Sequence, residues 1–566
     1  MKLAKRIRTL VVLCVIMAMI LLLMNKPLVT DDDAFDHAKL VQQEEPQPLP
    51  DTYLPYPKLF LLPHDENSAH HRYDDRLGID KFTGIEKGPN ETQHQGSGVT
   101  MEEYIMSYNR SQFHVCGRQF RPDQKQIHVV KDAYQNYITP VTGFPDTDVY
   151  LLNFYYDDRF RYTGHTHVRS IVSIRAVGAT KGASQAETKR TRDWKTALQH
   201  KTEFHLLLWY DGFANPLSVT CKLNGAAGLA RNIANTYYNQ YSITCPLPHV
   251  DMLPIHVSNA IGDCSEPKTY LPVVYPRPPR SPASRDIGVC MASLYGKLTQ
   301  QDVPYFVNWM ETLNLLGVSE VTMNNALMHL DPMMVRALKY YHDKGRLFMT
   351  SYPVAHPGKW SQPNRDDAAT ESINKVTTSD CFYRNMRRYW WTLIIDLDEI
   401  PVPMTKLTYQ EFLQDYLARN PQNTNAHCLT IRSAFFYLTQ RPGNPQYGDH
   451  LPVLRYTKRF EPEPMGAASH DGIGIAKSFH NPRNVVASGH HIARATHDLT
   501  QDQMKRPVMP VDEILIHHYR KQCKYGDDCK AKWNSTITDN IIPEHFAKSL
   551  KERVETVLNQ IEFFHL

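Results

Sequence analysis

The chain has 566 residues, 42% of them apolar and 22% charged, enough to bury two or three cores and incompatible with disorder throughout. Its net charge of +4 comes entirely from Lys2, Lys5, Arg6 and Arg8, because taking those four from 63 basic residues leaves 59 against 59 acidic ones. A formally neutral body lacks the basic excess of a nucleic-acid-binding domain, so that class is excluded.

The four cations precede an uncharged apolar run, Leu10 to Met24, and Asp31, Asp32 and Asp33 follow it. Such a run suits a thin secretory-pathway bilayer, its basic flank should stay cytosolic, and no A-x-A cleavage pattern comes after it. The expectation is a single-pass type II membrane protein with a cytosolic tail (1–9), a transmembrane anchor (10–24) and a lumenal body. Beyond Cys14 there are nine cysteines, an odd number that leaves at least one unpaired. None forms a C-x-x-C, which disfavours zinc; Cys523 and Cys529, flanking the turn-like Tyr525-Gly526-Asp527, are the expected disulfide. Acceptor patterns at Asn90, Asn109 and Asn534 fit a lumenal, glycosylated body.

Residues 25–111 read as a stem, stiffened by Pro46, Pro48, Pro50, Pro55, Pro57 and Pro63. From 112 to 275 the runs VYLLNFYYDDRF, VRSIVSIRAV and EFHLLLWYDG are rich in β-branched and aromatic residues between polar turns, which predicts a mostly β domain. Asp157, Asp158 and Arg159 are placed at a charged strand end. A Pro-rich linker (276–286) follows.

Beyond the linker the period changes. IGVCMASLY (287–295) reads as a buried strand, and Asp302 with Pro304 marks a helix start. Phe306, Val307, Met310 and Leu313 share its face, and Gly317 ends it. EVTMNN is a second strand, Asp331-Pro332 caps a second helix that Gly345 terminates, and RLFMTSYPV is a third strand. Ser379 or Asp380 is expected to cap the next helix, WTLIID is the fourth strand, and a last amphipathic helix carries Phe546, Leu550, Val554 and Leu558. The alternation predicts an α/β catalytic domain over 287–566 with a mostly parallel sheet.

In such sheets ligands bind at the carboxyl ends of the strands, where WTLIIDLDEIPVP (391–403) places Asp396, Asp398 and Glu399. In extended chain Asp396 and Asp398 face the same way and Glu399 points elsewhere. Two hard oxygen donors on one side suit Mg²⁺ or Mn²⁺, with positions left for substrate phosphates. The expected chemistry is that of a sugar-nucleotide site.

The chain from about 130 to 525 resembles glycosyltransferase family 92, on YYDDR (155–159), IGVCMASLYG (287–296), the Trp309 helix ending in LLGVSEV (315–321), DCFYRN (380–385), WTLIIDLDEIPVP, KSFHNPRNVVASGHH (477–491) and HHYR (517–520). That resemblance implies a GT-A-like nucleotide-sugar-binding fold, a Golgi location, a UDP-sugar donor (galactose above all), a glycan acceptor such as an N-glycan core, and Mn²⁺ or Mg²⁺. It further implies Asp396 at the nucleotide ribose or metal, Asp398 and His518 at the metal, and Lys477 and Arg520 at the diphosphate. Asp471 is the candidate general base of an inverting displacement, with Glu461, Glu463 and Glu399 open as alternatives. Glu399-Ile400-Pro401 departs from the family pattern, which commonly has an aromatic after the Glu. The stretch 441–472, where an acceptor would dock, is also idiosyncratic, so acceptor identity is what these departures leave open. A competing reading is a non-catalytic, membrane-anchored glycan-binding protein that stacks sugars on exposed Trp209 and Tyr210.

Overall fold

The computed structural model describes residues 113–565 apart from 117–137, 142–148, 161–164, 176–203, 211–214, 225–237, 249–252, 265–270, 352–366, 463–475, 496–502, 522–534 and a few shorter breaks. The anchor, the stem, the three acceptor asparagines and the Cys523–Cys529 pair lie outside the described residues. No helix among those described is long and apolar enough to cross a membrane.

Among the described residues nine strands precede the Pro-rich stretch: β1 (Phe113–Val115), β2 (Ile138–Val141), β3 (Val149–Phe160), β4 (His165–Arg175), β5 (Phe204–Tyr210), β6 (Leu217–Asn224), β7 (Tyr238–Pro246), β8 (Pro254–Ala260) and β9 (Leu271–Val274). They run in the order β1-β6-β5-β8-β9-β3-β4-β7, and β6 also pairs with β7, so the sheet closes into a barrel. Closure removes exposed edges and fills the interior with the alternate side chains of each strand. Phe154, Tyr156, Leu206, Leu208, Val219 and Ile243 form that interior, and the Cys221–Cys245 disulfide joins β6 to β7. Trp209 and Tyr210 are 7% and 3% exposed. They are not the surface platform that a glycan-binding module would need; the Trp209 indole donates instead to Ser258 Oγ inside the fold.

The second sheet is built from β10 (Ile287–Met291), β11 (Leu294–Leu298), β12 (Val318–Leu330), β13 (Leu347–Ser351), β14 (Trp391–Ile395), β15 (Glu399–Pro403), β16 (Cys428–Tyr437), β18 (Ala476–His480) and β21 (Ile514–Arg520); β17 (Lys458–Arg459) with β22 (Ile537–Thr538), and β19 (Ala487–Ser488) with β20 (Ala493–Ala495), make two short ribbons. Strands β13, β12, β10 and β14 lie side by side and parallel, as the alternation predicts. Antiparallel β18 then reverses the direction, and β16 and β21 form a further parallel pair edged by β15. The sheet is therefore mixed, with its parallel half nearest the linker.

Helices α1 (Val303–Leu315), α2 (Pro332–Asp343), α3 (Asp367–Asn385), α4 (Tyr409–Arg419), the short α5 (Pro452–Arg455) and α6 (Ile541–Gln560) flank this sheet. Trp309, Leu313, Leu338, Phe412, Leu550 and Val554 pack with Val289, Leu393 and Ile395 of the strands in one core, at about 1.5–3 kcal/mol per large side chain buried. Asp331 caps α2 by accepting from Met333 N at 2.9 Å, and Gly317, at φ +89°, turns the chain out of α1. Ser379 and Asp380 do not cap a helix: α3 begins at Asp367 and runs through them. Tertiary contact overrides local propensity there, for the Asp380 carboxylate is spent on Arg384 at 2.8 Å and on the Tyr155 hydroxyl of the barrel.

The two sheets share a hydrophobic cluster of Leu152, Tyr155 and Ile171 with Val376, Phe382 and Tyr383 of α3. The Pro-rich stretch is pinned rather than free: Arg277 bonds Arg384 O through its backbone, pairs with Glu320 and lies 4.2 Å from the Phe348 ring centre. Packing is tight at Gly288, where an added Cβ would sit 2.1 Å from the Tyr389 ring. Tyr389 is itself held by a 2.8 Å bond to Glu320, so a Gly288→Ala variant should lose about 1–3 kcal/mol of stability, read as a lowered denaturant midpoint.

Candidate active site

The acidic corner joins two strands that are neighbours in sequence and far apart in the sheet. β14 ends at Ile395 inside the parallel half, and β15 starts at Glu399 on the far edge. Between them the chain turns, with Glu399 N donating to Asp396 O at 3.2 Å. Asp396 and Asp398 are therefore not on one face of an extended strand, and each carboxylate has its own set of partners.

Asp396 belongs to Lys477. The ammonium lies 2.9 Å from Asp396 Oδ2 and 3.2 Å from Glu399 Oε2, with 1% of the side chain exposed. Burial alone would lower the lysine's pKa, but the two carboxylates outweigh it and hold the group above its ordinary range. Expected at a ligand diphosphate, Lys477 instead has its charge engaged beneath the corner.

Asp398 belongs to His518. Asp398 Oδ2 and His518 Nε2 are 3.1 Å apart, the carboxylate about a third exposed and the imidazole buried. Strand pairing sets this up, because Glu399 and Phe435 both stand opposite His518 in the register of β15, β21 and β16. Tyr519 N donates to Asp398 O at 2.8 Å and fixes the corner's backbone against β21. Arg520 directs Nε at His518 Nε2, at 3.1 Å, and its guanidinium carbon lies 5.5 Å from the Phe435 ring centre. Tyr305, at the start of α1, donates to Tyr519 O at 2.9 Å. Burial first, and then the Asp398 charge, raise its pKa and keep it a neutral donor.

Glu399 connects the two halves. It is 1% exposed, its Oε2 accepts from Asp396 N at 2.9 Å, and its Oε1 is 3.5 Å from His518 Nδ1. The i, i+2 argument set this residue aside; only the partners brought by β18 and β21 reveal its place. Asp471 and Glu463 lie outside the described residues, and Glu461 is exposed.

A divalent cation is the group to test against this geometry. Cis ligands of an octahedral ion, each about 2.1 Å from it, are about 3 Å apart, which the 3.1 Å between Asp398 Oδ2 and His518 Nε2 matches. Arg520 Nε–H is a permanent donor that engages the single lone pair of Nε2, so an ion would take that lone pair only with Arg520 turned away, for example to a substrate phosphate. Among the described residues no group of three His, Cys, Asp or Glu side chains is gathered for a metal. The fit is to an ion with two protein ligands and the rest from water or substrate, the habit of Mg²⁺ and Mn²⁺ rather than zinc.

Comparison with known proteins places this half of the chain. Residues 285–558 match the model of glycosyltransferase family 92. They form a glycosyltransferase family 92 domain. The domain takes in β10 to β21 and most of α6, and so holds Asp396, Asp398, Glu399, Lys477, His518 and Arg520. Beta-1,4-galactosyltransferase galt-1 of Caenorhabditis elegans is 23% identical over 263 residues, which is 44% of this chain and 54% of that protein; the chain spans about half the length of this curated relative. Two crystal structures of S. aureus TarS superpose with TM-scores of 0.19 and 0.18 at 12% and 10% identity. They cover 35% and 28% of this chain and 47% and 23% of theirs, too weak a likeness to establish a shared fold.

Proposed function

We propose that the family 92 domain transfers a hexose, galactose first among the candidates, from a UDP-sugar to a glycan acceptor such as an N-glycan core, with inversion and with Mn²⁺ or Mg²⁺ at Asp398 and His518. The observation that carries this reading is the 3.1 Å approach of Asp398 Oδ2 to His518 Nε2, beside the carboxyl end of a parallel strand, where such sheets bind ligands. The family match and the galactosyltransferase relative supply the reaction class. When bound, the ion offsets charge developing on the leaving diphosphate.

The chain's own residues do the remaining work. Arg520 brings a permanent cation to the same edge, suited to a phosphate oxygen. Asp396 stays at the rim, where it faces the nucleotide, with its carboxylate paired to Lys477. Glu399 is withdrawn as a general base, because it is buried and its oxygens face Lys477, Asp396 N and His518. Asp471 remains the proposed base, with Glu461 and Glu463 as alternatives. A GT-A-like character for the domain, a type II anchor at 10–24 and a Golgi location belong to the same proposal. The disulfides Cys116–Cys264, Cys221–Cys245 and Cys290–Cys381 support it, since they call for an oxidising compartment. Buried Trp209 and Tyr210 weigh against the glycan-binding alternative.

The test is UDP release by the purified full chain, offered each common UDP-sugar and a mixed N-glycan acceptor, with and without Mn²⁺. Acceptor-stimulated turnover of one donor, lost on chelation, is the expected result. Absence of turnover together with absence of metal-dependent UDP binding would remove the transferase reading.

A further inference from the structure

Glu399 is a buried carboxylate that the proposed chemistry does not consume. Burying an ion costs several kcal/mol unless it is compensated, and here the compensation is lopsided. One oxygen takes Lys477 at 3.2 Å and the Asp396 amide at 2.9 Å, while the other faces His518 Nδ1 at 3.5 Å. Lys477 is shared with Asp396.

Among the described residues His518 Nδ1 has no closed hydrogen bond, and Glu399 Oε1 lies 3.5 Å from it. With Arg520 Nε–H aimed at Nε2, the ring proton belongs on Nδ1, directed at Glu399. With Arg520 turned from Nε2 to a substrate phosphate, this is the arrangement of a metal-binding histidine: a carboxylate behind the ring holds the tautomer and makes the outward nitrogen a better donor. The cross-strand pairing of Glu399 with His518 makes the contact a property of the sheet register rather than of a loop.

We propose that Glu399 is the positioning residue of the cation site: from beneath the corner it orients the His518 ring towards the ion through Nδ1, and through Lys477 and the Asp396 amide it holds the turn that aims Asp398. This deepens the proposed function and rests on its assignment of the ion to Asp398 and His518. Glu399 touches neither substrate nor ion; it acts through its neighbours.

The experiment is a Mn²⁺ titration of the full chain at fixed UDP, read from the EPR signal of free Mn²⁺ against a UDP-only blank, for wild type, Asp398→Asn, Glu399→Gln and the double variant Glu399→Gln/Lys477→Met. Wild type should bind and Asp398→Asn should not. Glu399→Gln should weaken Mn²⁺ binding 10- to 100-fold, raise the Mn²⁺ concentration for half-maximal turnover by the same factor, and leave kcat at saturating Mn²⁺ within about threefold of wild type. The double variant removes the buried pair together, which guards against an unfolded single variant, and it should show the same loss of affinity. Wild-type affinity in either Glu399 variant, beside a dead Asp398→Asn, would overturn the positioning role while sparing the transferase reading. No Mn²⁺ binding by wild type would overturn both.

Discussion

Asp398→Asn should lower kcat/KM by on the order of 10³ while leaving the fold in place, the scale seen when one charge-stabilising group is removed from an active site. The side chain is 37% exposed and is held by one imidazole contact, so removing its charge leaves no buried cation without a partner. Asparagine keeps the shape and keeps one oxygen, but it is a poor ligand for a hard divalent ion. The neighbouring change, Asp396→Asn, gives a different signature. It strips Lys477 of its 2.9 Å partner, leaving a fully buried ammonium with Glu399 alone, so stability should fall along with activity. Melting curves and steady-state kinetics on both variants separate the roles: activity lost at unchanged melting temperature for position 398, both lost for 396. Equal melting losses would mean that the two acids form one structural unit.

The parts of this arrangement that were legible in the sequence are those set by short-range pattern. The apolar run ending in Ile395 gives the strand, the acids after it mark where that strand stops, Asp331-Pro332 gives a capped helix start, and Phe546, Leu550, Val554 and Leu558 give the last helix. What was not legible depends on partners distant along the chain. Lys477 reaches Asp396 across 81 residues, and Tyr155 reaches Asp380 across 225; no local spacing encodes either. The same limit explains the misplaced start of α3, where a carboxylate that looks like a cap is a tertiary ligand. It also explains the corner itself, because the i, i+2 rule presumes extended chain and the chain turns at Leu397 and Asp398. Closure of the barrel rests on one additional pairing, β6 with β7, which strand propensity alone does not reveal.

The YYDDR stretch yields the second large effect, on stability rather than turnover. A charged turn would expose Asp157, but its side chain is fully buried. It lies 2.7 Å from Arg159 Nη2 and 2.6 Å from Arg169 Nε, both of them buried. Burial works to raise the Asp157 pKa, and the two guanidiniums override it and hold the acid far below the usual carboxylate range. Removing one member of a buried ion cluster strands the others, at a cost of about 3–5 kcal/mol, so Asp157→Asn should shift the denaturant midpoint by that equivalent. The pH dependence has a definite sign. A depressed carboxylate contributes stability that is present in full above its unfolded value, near 3.9, and is lost as pH falls towards the folded one. The gap between wild type and Asp157→Asn should be constant from about pH 5 to 8 and should narrow below about pH 4. Arg159 also donates to Pro482 O and to Val485 O at 2.6 Å, in the loop that leaves β18, the strand carrying Lys477. Loosening Asp157 therefore frees an arginine that clamps the barrel to the far end of the strand beneath the acidic corner. Hydrogen exchange at 476–486 should accelerate in the variant more than in β10 or β12, and uniform acceleration would mean that the barrel contributes bulk stability without gripping that strand.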